Sequence, residues 1–115
     1  MKLKLEDIKD DNTIINMLIA EKVFGCEIGI CSEDFPILEQ RFKNGEVHAL
    51  HRYSTSIDNA WEIVGKMESL GYNYRIQKDS VSFWLGCCHE IGGEVAKNKP
   101  LAICLAALLV LEVVE

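Results

Sequence analysis

Cys87, Cys88, His89 and Glu90 stand in a row, and thiols beside an imidazole suggest either a metal site or a cysteine nucleophile. Their spacing argues against the first and does not demand the second. Neighbouring residues on a strand point to opposite faces, so Cys87 and Cys88 cannot share one ion without a bulge. Zinc sites usually space their cysteines by roughly two to four residues, and Cys26 with Cys31 also misses that pattern. A nucleophilic cysteine needs a base from elsewhere in the chain. His48 and His51 could serve, but His48-Ala49-Leu50-His51 has no glutamate at general-base spacing and no third ligand nearby. These residues read as structural thiols and a loop pair of histidines. Glu62, Glu68 and Glu90 are scattered, no phosphate-cradling glycine loop is written, and Gly92-Gly93 reads as a turn. The expectation is no catalytic residue, no metal and no cofactor.

Aromatic and cationic residues give a stronger lead. Trp84 alternates with Phe83 and Leu85 on an expected strand and shares a face with Ser82, while Tyr74 and Arg75 stand on the neighbouring arm. Arg52 and Tyr53 precede an expected helix. Lys97 and Lys99 flank the start of the last helix, whose unpaired N–H groups and dipole favour an anion. A stacking surface, cations and a helix N-terminus are what a nucleotide-like ligand requires. The candidate ligand-binding residues are therefore Trp84, Tyr74, Arg75, Arg52, Tyr53, Lys97 and Lys99. Phosphates are expected near Lys97 and Lys99, and the base on Trp84 or Tyr74.

Three helices and several strands must position them. Asp11-Asn12-Thr13 can cap a helix over 13–24, with Ile14, Leu18 and Ile19 at helical spacing and Gly25 as its stop. Residues 26–30 suit a short strand. Residues 31–53 show no clear period, apart from turn signals at Asp34-Phe35-Pro36 and Lys43-Asn44-Gly45 and a possible strand at 46–50. Thr55 and Asp58 resemble a capping box. They open a helix over 57–70, with Ile57, Ala60, Trp61, Val64 and Met67 on one face and Gly71 as terminator. Residues 72–77 and 81–87 read as an antiparallel hairpin, 91–93 as a turn and 94–96 as a third arm. Pro100 suits the first turn of a helix over 100–111. That helix has no polar stripe, so it must be covered all round, by the first two helices or by another copy of the chain. The second option predicts a homo-oligomer.

Composition sets the outer limits. A chain of 115 residues with 49% hydrophobic and 26% charged side chains is expected to fold as one domain around one core. Twelve basic against eighteen acidic residues leave a net charge of −6, which opposes a grip on DNA or RNA. The longest apolar run, 101–111, is too short to span a membrane. With five cysteines, an odd count, and no signal-peptide core at the start, the expected setting is cytoplasmic with free thiols.

Three stretches together resemble the phage ABA sandwich domain family: Ala20-Glu21-Lys22-Val23, Tyr53-Ser54-Thr55 with Ala60-Trp61-Glu62 and Val64, and Pro100-Leu101-Ala102-Ile103-Cys104-Leu105-Ala106-Ala107-Leu108. Residues 31–50 depart from its usual short form. The resemblance implies an α+β fold, a three-layer alpha-beta-alpha sandwich with a small antiparallel sheet and about three helices. It transfers no catalytic residues. It implies a small non-enzymatic phage or prophage protein, and phage proteins of this size often counter host defence. The leading expectation is sequestration of a cyclic-nucleotide-like host signal. The alternatives are a protein–protein inhibitor gripping a host partner through 31–50, then a thiol- or zinc-dependent enzyme on Cys87, Cys88 and His89.

Overall fold

In the computed structural model, residues 3–30, 37–76, 81–85, 91–94 and 99–113 are described. The order is α1 (Leu5–Ile8), α2 (Asn12–Lys22), β1 (Glu27–Ile30), β2 (Leu38–Arg41), β3 (Val47–Ala49), α3 (Ile57–Ser69), β4 (Tyr72–Ile76), β5 (Val81–Leu85), β6 (Ile91–Glu94) and α4 (Lys99–Val110). The class is mixed α+β, as expected. The strands, however, form two antiparallel sheets of three, ordered β1-β2-β3 and β4-β5-β6. Two strands depart from the sequence reading. β2 escaped notice because Leu38-Glu39-Gln40-Arg41 places a glutamine, fully buried, where an apolar residue would have marked the pattern. The expected turn at 91–93 is instead part of β6, where Ile91 pairs with Phe83 and Glu94 with Val81 around a register shift. An irregularity of that kind suits glycines inside a strand.

α2 and α3 begin on side-chain caps. The Asp11 carboxylate accepts from the Ile14 N–H at 3.1 Å, and Gly25, at φ +69°, turns the chain out of α2 into β1. α2 buries Ile15, Asn16, Ile19 and Ala20, while Ile14, expected inward, is exposed. The cap of α3 is Ser56, one residue later than the expected Thr55, and it accepts from the Asn59 N–H at 3.4 Å. The buried face is Ala60, Ile63, Val64 and Met67, and Trp61, expected inward, is 48% exposed. Gly71, at φ +95°, ends the helix and starts β4.

α4 answers the question its sequence poses. Pro100 through Leu108 are buried, and the helix packs against β5, β6, α3 and α2 of its own chain. Leu108 is 0% exposed without any second copy, so the apolar perimeter no longer requires an oligomer. Val81 and Phe83, both 0% exposed, join the same core from β5. No helix among the described residues is long and apolar enough to cross a membrane.

The first sheet is tied down differently. Gln40 is 0% exposed, and its amide nitrogen donates to the Tyr53 hydroxyl at 2.9 Å. Its amide oxygen accepts from the His51 N–H at 3.0 Å. The Tyr53 ring stacks on Phe24 with centroids 5.3 Å apart, and the Asn16 side chain accepts from the Ser54 N–H at 2.9 Å. Segment 51–54, the entry to α3, is thus held by one buried amide from β2 and another from α2.

Candidate functional site

Alternation along β4 and β5, fixed by the pairs Asn73↔Trp84, Tyr74↔Phe83 and Arg75↔Ser82, sorts the hairpin into two faces. Phe83 and Val81 point to the core. Asn73, Arg75, Ser82 and Trp84 share the outer face, where the Arg75 guanidinium carbon lies 5.9 Å from the Trp84 ring centroid. That distance is within cation–π reach. Ser82 is buried, Trp84 half-buried and Arg75 exposed, so the indole keeps an accessible flank with the guanidinium beside it.

Of the seven residues singled out in the sequence, this face brings together Trp84 and Arg75. Tyr74 is on the other side of the strand, 39% exposed and 6.5 Å from the Phe83 ring. It cannot share a stacking surface with Trp84. Tyr53 is 0% exposed, so no ligand can stack on it; burial also pushes its phenol pKa well above the usual range, with the Gln40 hydrogen bond opposing in part. The sequence signal was misleading because a tyrosine before a helix looks the same whether its ring faces water or the core. Arg52 is exposed in the turn ahead of α3, where its carbonyl accepts from the Thr55 and Ser56 N–H groups. Lys99 is the half-buried first residue of α4, and α4 packs on the Val81–Phe83 side of the sheet. Trp84 and the start of α4 therefore lie to opposite sides of the second sheet. Lys97, together with Cys87, Cys88, His89 and Glu90, lies outside the described residues.

Two features of the first sheet were not anticipated. A cleft of about 240 Å³ is lined by Gly25, Glu27, Arg41, Phe42 and Lys43. Arg41 donates through Nε and Nη2 to one Glu39 oxygen at 3.0 and 2.8 Å. Its guanidinium rests on Gly29, where an added Cβ would come within 2.5 Å of Nη2. Glu27 and Glu39 offset Arg41 and Lys43, and the volume falls below the roughly 300 Å³ where ligand pockets begin. The cleft is a poor nucleotide site on both counts.

The second feature is a file of rings. Phe42, His48, His51, Tyr53 and Phe24 follow one another with centroids 5.3–5.7 Å apart. His48 Nε2 lies 3.3 Å from Glu46, and His51 Nδ1 lies 3.5 Å from Glu62, the latter too long for a good hydrogen bond. The two histidines are thus part of the packing that joins β3 to the entry of α3. Among the described residues no group of three His, Cys, Asp or Glu side chains is arranged to hold a metal ion. Cys104, buried in α4, has its thiol pKa pushed up by desolvation, which makes it a poor nucleophile.

Comparison with known proteins agrees with this architecture. The crystal structure of a phage protein from Bacillus cereus ATCC 14579, solved at 2.0 Å, aligns with a TM-score of 0.66 and 27% sequence identity, over 87% of this chain and 91% of that one. No curated protein matches. The phage ABA sandwich domain model matches residues 17–108, from within α2 nearly to the end of α4. The chain belongs to the phage ABA sandwich domain family.

Proposed function

We propose that this protein is a non-catalytic binding protein that sequesters a small nucleotide-derived anion, such as a cyclic nucleotide used by a bacterial host to signal infection. The observation that supports this reading is the Arg75–Trp84 pair on the outer face of the second sheet, 5.9 Å from guanidinium carbon to ring centroid. A base can stack on the indole, and the guanidinium fork suits the phosphate oxygens. Asn73 is exposed on the same face, and its neutral amide can orient a ligand without moving its protons. The anti-defence role rests on the family's phage context, an analogy that the fold alone does not supply.

The test is direct. Purified protein is incubated with extract from infected, defence-active cells, washed and heated, and the released small molecules are identified by mass spectrometry. Sequestration predicts an intact nucleotide-derived anion. Release of a cleavage product would replace binding with enzymology.

A second reading has its own observation. Ile30, Ile37 and Val47 are 58%, 55% and 53% exposed, in and beside the 31–50 segment that departs from the family's short form. Three exposed aliphatics there favour a protein–protein inhibitor. That reading predicts a co-purifying host protein, lost when the segment is shortened.

A further inference from the structure

We infer that the outward face of α3 docks a basic, arginine-bearing helix of another protein, a surface separate from the Arg75–Trp84 face. The helix fills its core-facing side with Ala60, Ile63, Val64 and Met67. Its outward side nevertheless carries Ile57, 42% exposed, and one turn later Trp61, 48% exposed. One turn further stands Gly65, where an added Cβ would meet nothing within 4 Å. Residues at this spacing share a helix face, so the stripe reads aliphatic, indole, notch. A tryptophan presents far more apolar area than an isolated surface leucine, and it is the residue type most enriched among interface hot spots.

Charge identifies the occupant. The exposed charged residues of α3 are Asp58, Glu62 and Glu68, and Lys66, the helix's one cation, is half-buried. An arginine from a partner can stack on the Trp61 indole while its fork pairs with a neighbouring carboxylate. An aliphatic side chain beside it fits the open space over Gly65. A second copy of this chain is the wrong shape of charge: α3 against α3 would oppose the same carboxylates, in a protein already at −6.

The experiment titrates the protein with a synthetic helical peptide bearing one leucine face and one arginine face, followed by calorimetry and by backbone amide shifts. Shifts are expected to centre on Asp58, Trp61 and Gly65. Trp61→Ala and Glu68→Lys should each raise Kd about tenfold or more, as expected for a central hot spot, whereas Trp61→Phe should keep much of the affinity. Glu21→Lys, an exposed charge reversal on α2, should leave Kd nearly unchanged. All these positions are exposed, and circular dichroism on each variant verifies the fold. The inference is overturned if Trp61→Ala binds the peptide as well as the parent, or if Glu21→Lys weakens binding as much as Glu68→Lys. It is also overturned if light scattering shows a dimer of the protein alone that Trp61→Ala dissolves, because the face then belongs to a second copy.

Discussion

The two sheets of this protein are held by opposite means. The second sheet is glued: Val81 and Phe83 press into a core whose other wall is α4, apolar on every side. The first sheet is tied: Gln40 reaches Tyr53 and His51 from inside the fold, and Asn16 holds Ser54. Apolar burial is strong but indifferent to direction. A buried amide contributes less on balance, yet it demands one geometry because an unpaired partner is costly. The glued sheet is therefore free to expose an outer face with Arg75 and Trp84. The tied sheet fixes where α3 begins.

The largest effect should come from the glue. Phe83→Ala empties a fully buried position and should cost about 3–5 kcal/mol in denaturant unfolding. The tie comes next. Gln40→Ala strands the Tyr53 hydroxyl and the His51 N–H inside the protein and should cost about 1–3 kcal/mol. Hydrogen exchange sharpens the contrast: Gln40→Ala should speed exchange in β1–β3 more than in β4–β5. If Gln40→Ala destabilises as much as Phe83→Ala and exchange rises evenly, the distinction between the sheets fails. Asp11→Ala, which removes the cap of α2, should cost about 1 kcal/mol and affect both sheets alike.

Alkali probes the tie more gently. Burial raises the Tyr53 pKa above its value of roughly 10 in an unfolded chain. Above that pH the unfolded state loses a proton that the folded state keeps, so stability should fall as pH rises. Cys104 and Cys26, also raised by burial, should start the decline from about pH 8.5. Tyr53→Phe should flatten the part of the slope above pH ~10. An unchanged slope would show that the Tyr53 hydroxyl is not sealed in.

The same contrast explains what could be read in advance. α4 was legible because a helix without a polar stripe permits only burial, and α3 because its cap, apolar period and closing Gly71 agree. The hairpin β4–β5 followed from its alternation. The tied half was largely hidden. A buried glutamine breaks the pattern that would have revealed β2, and nothing local tells Tyr53 that Phe24 and Gln40 await its two ends. Trp61 misled because it adjoins the apolar stripe: the buried face centres on Ala60, Ile63, Val64 and Met67, and at helical spacing Trp61 falls on its flank. In the candidate site, strand alternation was enough to pair Trp84 with Ser82. Which of the adjacent Tyr74 and Arg75 joined them depended on cross-strand register, and that is a tertiary fact.

The central claim, that the outer face of the second sheet is the ligand surface, meets its most direct test in calorimetry. The small molecule released from the parent protein is titrated into the parent, Trp84→Ala and Arg75→Ala, with Tyr74→Ala as the opposite-face control. Loss of the stacking ring should cost about 1–3 kcal/mol of binding, and loss of the guanidinium about 1.5–3 kcal/mol. Tyr74→Ala should bind like the parent. If Trp84→Ala and Arg75→Ala both retain parental affinity, the ligand sits elsewhere and the claim is wrong.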